Sequence, residues 1–525
     1  MAQPHSSTAA VSLLYILFAS LCASAALKSP DCSPHALNIS PPFGADIQSI
    51  IASPAHDYSI SVPQNGASPP VSTNFTNLDF CNVTVTYIHP GQKRKIHVQV
   101  WLPFNWNGRF QGSGGGGWAA GLGAISLAPG VSLGYATATT DAGHSETEPI
   151  EPWALDSPGN VDFNALQDFA ATALGDLADI GKAVTKRFYG EAAKYSYWNG
   201  CSTGGREGFM LAQRFPEAFD GVLAFSPVIN WAQVPTSTYW PQQVMKDLDF
   251  YPLPCEMEAI TDRAIESCDE LDGVKDGIIS HPDQCGFDAR TLIGQSFTCN
   301  GRTLRFSHQA AEIANAAWQG PLSPSGSPLW YGIEKEARLM GIANTTCMGD
   351  KCIGAPFQLG ADWIKYFLAK DPQFALVNMT RTEYARLFHK SVQQYESIIG
   401  TVDPDLSEFR EAGGKMIAVH GLADELIPAN GTIGYYNAVL AGDKKSAEYF
   451  RFFLAPGVAH CASYVGPYPK DALASLVDWV EHDTMPDMLE ATHPNGETVR
   501  RLCAYPKQQL YTGGDPKKPE SFTCS

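Results

Sequence analysis

The stretch Tyr197-Trp198-Asn199-Gly200-Cys201-Ser202-Thr203-Gly204-Gly205-Arg206 constrains this chain more than any other. It sets one hydroxyl, Ser202, among glycines in the order Gly-x-Ser-x-Gly. The aromatic-rich run at 194–198 reads as a strand, and residues 207–215 have helical character. A strand entering a helix through a tight glycine turn is the setting of a nucleophile elbow, where strain excludes bulky neighbours. Ser202 then stands at the carboxyl end of a sheet, beside a helix N-terminus that favours developing negative charge. Ordinary glycine-rich turns carry the same pattern. A catalytic reading therefore needs a base, an acid and an oxyanion site elsewhere.

Later segments offer them. Residues 414–420 read as a strand followed by Asp424, and 449–454 as a strand followed by His460. The order Ser202, Asp424, His460 is that of the α/β-hydrolases, and each residue closely follows a strand, so all three reach one sheet edge. His460 is then the general base and Asp424 the group that orients its imidazole. His420 reads as a structural histidine and His144 as a loop residue able to line the pocket. Glu425 reads as directed elsewhere, and Asp220 as a turn residue. The glycine run at 112–117 admits three readings: a dinucleotide-binding turn, a flexible loop, or a loop whose amides face the site. On the third, Gly115 and Gly116 are candidate oxyanion donors, with the Thr203 amide as the other.

Strands at 83–88, 97–102, 134–140 and 219–226, with an amphipathic helix at 163–188, give the α/β pattern of a largely parallel sheet. The expected architecture is an α/β-hydrolase fold with a large inserted lid domain. The interval from Ser202 to Asp424 is far longer than a few strands and helices need. Residues 233–402, rich in helices, proline loops and cysteines, are the lid. The hydrolase parts are then 26–232 and 403–525.

Compartment and partners follow from composition. Residues 11–22 form an apolar run of signal-peptide length, with Ala23-Ser24-Ala25 as a cleavage pattern, although no Lys or Arg precedes it. This makes 1–25 a signal peptide and the protein secreted. No later apolar run is long enough for a membrane anchor. The net charge of -18 argues against nucleic acid or an anionic membrane as partner. Of 13 cysteines, Cys22 lies in the leader, and the even remainder suggests disulfides. Candidate glycan sites stand at Asn38, Asn74, Asn82, Asn344, Asn378 and Asn430. A homodimer stays open.

Two features flank the catalytic set. Cys201 precedes Ser202 and Cys461 follows His460, so contact between serine and histidine brings the two sulfurs together, as a disulfide or as two thiols. Residues 268–278 offer carboxylates at Asp269, Asp272 and Asp276 and carbonyls at Val274 and Ile278. That set suits a hard cation bound by oxygen or, equally, a solvated acidic turn.

Gly200-Cys201-Ser202-Thr203-Gly204-Gly205-Arg206, with Asp424 and Pro456-Gly457-Val458-Ala459-His460-Cys461, resembles the paired-cysteine triad of the fungal tannase and feruloyl esterase family. The likeness takes in the glycine run, the aspartate loop and Val477-Asp478-Trp479-Val480-Glu481, and it covers nearly all of the mature chain. It implies an α/β-hydrolase with a lid, a Cys201–Cys461 disulfide and a structural Ca2+ at the aspartate loop. The activity it implies is hydrolysis of galloyl or hydroxycinnamoyl esters, small or polysaccharide-linked. The chain length and the lack of a dibasic insert after Cys299 look more like the feruloyl esterases. The other pairs expected are Cys32–Cys81, Cys268–Cys285 and Cys503–Cys524, while Cys255, Cys299, Cys347 and Cys352 leave three pairings. The alternatives are an esterase or thioesterase of a secondary-metabolite pathway, or an inactive carbohydrate- or polyphenol-binding protein.

Overall fold

The computed structural model describes Met1 and residues 31–64, 71–463 and 465–525. Beyond Met1, the leader read at 1–25 lies outside the described residues. The fold is built on nine strands: β1 (Asp46–Gln64), β2 (Val71–Ile88), β3 (Ile96–Pro103), β4 (Arg109–Ser113), β5 (Ala136–Thr140), β6 (Tyr195–Cys201), β7 (Gly221–Phe225), β8 (Lys415–Gly421) and β9 (Phe450–Ala455). They form one sheet in the order β1-β2-β3-β5-β4-β6-β7-β8-β9. The first three strands and β5 pair antiparallel. From β5 to β9 every pairing is parallel. This is the α/β-hydrolase sheet, and its parallel half carries Ser202, Asp424 and His460 just beyond the carboxyl ends of β6, β8 and β9.

Helices α1 (Ala173–Tyr189), α2 (Thr203–Arg214), α3 (Ala429–Gly442) and α4 (Ala472–His482) flank the sheet. The helix expected at 163–188 forms, but one turn, Asp168–Thr172, widens to a π turn. Arg206, fully buried, takes the carbonyls of Phe169 and Ala170 there at 3.3 and 2.7 Å. A side chain that captures helix carbonyls loosens the regular ladder.

β1 is not among the strands read from the sequence, which begin at 83–88. It pairs along its whole length with β2 as a long ribbon. Its apolar residues Ile47, Ile50, Ala52, Ala55, Tyr58 and Ile60 pack half-buried against the core, but Pro54 and the register shifts at Ile47/Ser49, Ala55/Tyr58 and Tyr58/Ile60 break the alternation that marks such a strand.

Residues 226–414 leave the sheet after β7 and return at β8. They carry the helices Pro254–Cys268, His308–Gln319 and Arg381–Ile399. The two ends of this excursion meet where the Thr401 amide and hydroxyl both donate to the Ile229 carbonyl at 3.0 Å. All four expected disulfides are present: Cys32–Cys81, Cys201–Cys461, Cys268–Cys285 and Cys503–Cys524. The open set resolves as Cys255–Cys299 and Cys347–Cys352. Among the described residues no helix is long and apolar enough to cross a membrane.

Candidate active site

Ser202 sits between β6 and α2 with φ 62° and ψ -121°. That left-handed backbone is costly for a residue with a Cβ, and the turn holds it because its neighbours are glycines. A Cβ on Gly200 would lie 2.3 Å from the Gly204 carbonyl oxygen, and one on Gly205 2.5 Å from that of Phe225. The turn expected from sequence is therefore formed, with the serine at its apex.

Asp424 follows β8 and is 2% exposed. Its Oδ1 accepts the amides of Leu426 and Ile427 at 3.0 and 2.8 Å. The His460 ring donates through Nδ1 to Oδ2 at 2.9 Å and to Oδ1 at 3.1 Å. Burial alone would raise the Asp424 carboxyl, but the charges and hydrogen bonds of His460 and His420 hold it well below the usual carboxylate range. Burial likewise favours a neutral His460, yet the charge and hydrogen bond of Asp424 prevail and raise it above an ordinary histidine. With Nδ1 committed to the carboxylate, Nε2 of the neutral ring is the basic nitrogen.

Ser202, His460, Cys201, Cys461 and glycines 114–117 line one cavity of about 1090 Å³. The Cys201–Cys461 bond joins the elbow to the histidine loop, with Cα atoms 5.9 Å apart. One wall, from Leu122, Val228, Val234, Phe357 and Leu359, is apolar, and the other carries Lys470, Thr492 and His493.

The glycine run packs on the elbow, but its amides at Gly114, Gly115 and Gly116 are engaged, that of Gly114 by the Asn199 carbonyl at 3.1 Å. Gly115 donates to Glu207 Oε2 at 3.1 Å, and Gly116 to the Ala119 carbonyl at 3.0 Å. The expectation that Gly115 and Gly116 present free amides is corrected by these bonds. Thr203, the other candidate donor, opens α2, and its hydroxyl donates to the Gly117 carbonyl at 2.7 Å.

Other candidates are placed as follows. His420 is structural as expected, fully buried, bonded to Thr432 Oγ1 and the Ile427 carbonyl, and also 3.3 Å from Asp424. His144 stacks on Trp153 at 4.1 Å and bonds the Trp118 carbonyl; it is not among the lining residues of the catalytic cavity. Glu425 does not point elsewhere: its carboxylate accepts the His460 amide at 3.1 Å and lines the cavity. Asp220 accepts the Ser196 amide and hydroxyl, tying β6 to the turn before β7.

Glu207 was missed. It is fully buried, five residues after the nucleophile, and burial pushes its carboxyl up to about 8. A charged side chain on the inward face of an amphipathic helix was the available signal.

In the aspartate loop, Asp269 accepts the amides of Asp276 and Gly277, and Asp272 that of Val274. Asp276 accepts the Ile278 amide and binds Arg500 at 2.7 Å. Among the described residues no three His, Cys, Asp or Glu side chains are arranged to hold a metal ion.

A sheet of this topology, with an elbow serine and an Asp-paired histidine opening into one apolar-walled cavity, defines an α/β-hydrolase. Residues 81–525 match the family model described as tannase and feruloyl esterase. The chain is 39% identical to a probable feruloyl esterase of Arthroderma benhamiae, over 98% of this chain and 96% of that protein. It is 30% identical to the tannase of Aspergillus oryzae, over 86% and 85%. Its fold superimposes on the tannin acyl hydrolase of Aspergillus niger with a TM-score of 0.84 at 29% identity, covering 94% and 95%. With feruloyl esterase B of Aspergillus oryzae the TM-score is 0.76 at 26% identity, covering 94% and 98%. The chain belongs to the tannase and feruloyl esterase family and is a carboxylic ester hydrolase.

Proposed function

We propose that the protein is a secreted serine esterase that hydrolyses esters of phenolic acids through Ser202, His460 and Asp424. The observation that carries this reading is the joining of an apex serine and an Asp424-bound histidine in one cavity by Cys201–Cys461. His460 Nε2 takes the Ser202 proton as Oγ attacks the ester carbonyl. The oxyanion is received by the Thr203 amide and, with those of Gly115 and Gly116 engaged, by the Gly117 amide. The imidazolium then protonates the leaving alcohol, and an acyl-serine remains. Water attacks that ester with the same base, releasing the acid and restoring Ser202. Six disulfides and the apolar leader support export. The excursion at 233–402 acts as the lid, since Val234, Phe357 and Leu359 supply the apolar wall.

That wall suits the ring of a hydroxycinnamic acid. The hydroxyl of Thr238, next to that wall, is spent on the Pro235 carbonyl at 2.8 Å. Three gallate hydroxyls would lose hydration there without return. Methyl ferulate and methyl gallate assayed side by side test the reading. The expected result is a kcat/KM about tenfold higher on ferulate. A gallate preference selects the tannase specificity instead, and inactivity on both sinks the phenolic-ester reading.

The aspartate loop is proposed as a structural Ca2+ site, held by Asp269, Asp272 and Asp276 and the carbonyls of Val274 and Ile278. Its donor chemistry fits a hard cation. Burial pushes the Asp276 carboxyl up to about 6, with Asp272 and Asp269 adding to the rise against Arg500, and a cation relieves that charge. Binding requires Asp269 and Asp276 to turn from their amide partners toward one centre. The ion rigidifies the segment between Cys268 and Cys285 and enters no chemical step. Chelation by EDTA is expected to lower the thermal midpoint, with a loss of about 3 kcal/mol if calcium stood at 100 times its Kd. Excess Ca2+ restores it, Mg2+ does not, and Asp276→Asn removes the response. An EDTA-insensitive midpoint overturns the assignment.

A further inference from the structure

The glycine run is fixed to the elbow by a short series of bonds. The Gly114 amide donates to the Asn199 carbonyl of β6, the Gly204 amide of α2 donates to the Gly115 carbonyl at 3.1 Å, and the Thr203 hydroxyl reaches the Gly117 carbonyl. The approach is close: a Cβ on Gly114 would lie 2.5 Å from Gly204 Cα and 2.7 Å from Glu207 Oε2. One further bond belongs to the series, and a carboxyl group makes it. Glu207 Oε2 accepts the Gly115 amide at 3.1 Å, two residues before Gly117, whose amide receives the oxyanion in the proposed cycle.

The surroundings of Glu207 suit an uncharged group. It is fully buried, and its Oε1 has no hydrogen-bond partner. A buried carboxylate needs several donors or an opposed cation. The adjacent cation is Arg206, but its Nη groups are engaged by the Phe169 and Ala170 carbonyls. Other elements packed on α2 bring little charge to this point. The glycine run and β7 carry no titratable side chain. Tyr195 and Tyr197 of β6 lie on the face opposite Trp198, which bonds the Gly204 carbonyl of α2. The π turn brings Asp168, itself fully buried, and α1 brings Asp176, which is bound to Tyr87 and His89. Arg410, on the short helix Ser407–Glu411, pairs with Asp443, and Tyr435 of α3 meets α2 further along, at Phe209 and Gln213. Burial accordingly pushes the Glu207 carboxyl up to about 8, against the pull of Arg206 and of the Gly115 amide.

We propose that Glu207 is a positioning residue that works as a neutral acid, holding the glycine run where the Gly117 amide meets the oxyanion, and that its ionisation in alkaline solution slows the enzyme. The inference rests on the serine-esterase reading, with the oxyanion received at the glycine run. Oε2 is then the carbonyl oxygen that takes the Gly115 amide, and the proton sits on Oε1. Loss of that proton puts a negative charge beside the loop that must receive a second one in the transition state, and the two repel.

The test follows kcat and KM against pH on p-nitrophenyl acetate, an activated ester that needs the triad and the oxyanion site but not the apolar wall. Wild-type kcat is expected to be about tenfold lower at pH 9 than at pH 7, as an ionisation near 8 requires. Glu207→Leu removes the acceptor of the Gly115 amide and is expected to lower kcat about tenfold at pH 7, with KM within threefold. Glu207→Gln keeps the acceptor and has no proton to lose. It is expected to recover kcat to within about threefold of wild type and to show no fall at pH 9. An alkaline fall that persists in Glu207→Gln, no fall in wild type, or unchanged kcat in Glu207→Leu overturns the proposal, and Glu207→Gln decides alone if Glu207→Leu does not fold. A readout without turnover separates this inference from the serine mechanism. Difference infrared spectra of the Ser202→Ala protein, with and without Glu207→Gln, should show a protonated carboxyl band that Glu207 supplies at neutral pH and loses in alkali. That band is expected even if no ester is hydrolysed, and its absence overturns the neutral acid whatever the esterase result.

Discussion

Replacing Ser202 by alanine lowers kcat on methyl ferulate by about 10⁵-fold and leaves KM within a few-fold. The size follows from what the hydroxyl does in the proposed cycle. Without Oγ there is no acyl-enzyme, so His460 is left to direct water at an ester positioned for another nucleophile. The residual rate over water comes from binding and the oxyanion site, which the substitution spares. Ground-state binding should persist because the cavity is built by Leu122, Val228, Phe357 and Leu359 rather than by the serine. The variant should also keep its fold. Ser202 donates its amide to the Phe225 carbonyl at 3.0 Å, a bond alanine retains, and alanine adds no bulk to the turn. Asp424→Asn is expected to cost about 10⁴-fold, since the amide disfavours the tautomer that leaves Nε2 basic. The assay is steady-state hydrolysis with pre-steady-state detection of the first product, where wild type shows a burst if deacylation limits and Ser202→Ala shows none. Turnover by Ser202→Ala above one part in a hundred of wild type would falsify the serine mechanism.

The catalytic set was legible because each member is fixed locally. Gly200 and Gly205 admit no Cβ, so the elbow around Ser202 is written in adjacent residues. Asp424 and His460 come directly after short apolar strands, β8 and β9, whose register needs nothing remote to be recognised. What was not legible depends on distant packing. That the Gly115 amide is spent on Glu207 follows from α2 lying against the run, and no residue near Gly115 announces it. Glu425 bonds the His460 amide across 35 residues of sequence for the same reason. β1 escaped because Pro54 and three register shifts interrupt the alternation of its half-buried residues.

The disulfide at the site should matter to rate as well as to stability. The double variant Cys201→Ala/Cys461→Ala avoids stranded thiols and is expected to lose about tenfold in kcat at 25 °C, with KM within threefold. The bond closes a sequence separation of 260 residues, for which the chain-entropy account gives on the order of 5 kcal/mol. By that account alone the variant would melt lower and work normally when cool. Geometry argues for more. Cys461 directly follows the base, in a left-handed backbone with φ 60°, and Cys201 directly precedes Ser202 at φ 62°. The staple therefore joins two strained turns, one bearing the nucleophile and one the base. Among the described residues, the hydrogen bonds that tie the histidine loop to other segments run to Asp424, Glu425, Glu336 and Ala423, none of them on the elbow. Displacement of a catalytic group by about 1 Å costs up to 100-fold in rate, so even partial loosening registers in kcat. Removing Cys347–Cys352 is the internal control. That pair spans a separation of 5 between two strands already hydrogen-bonded to each other, so its loss should leave kcat unchanged. A double variant at the site that melts lower but keeps wild-type kcat at 25 °C would reduce Cys201–Cys461 to a staple of the fold alone. A fall in kcat at a temperature where circular dichroism shows an intact fold assigns it to holding the base against the nucleophile.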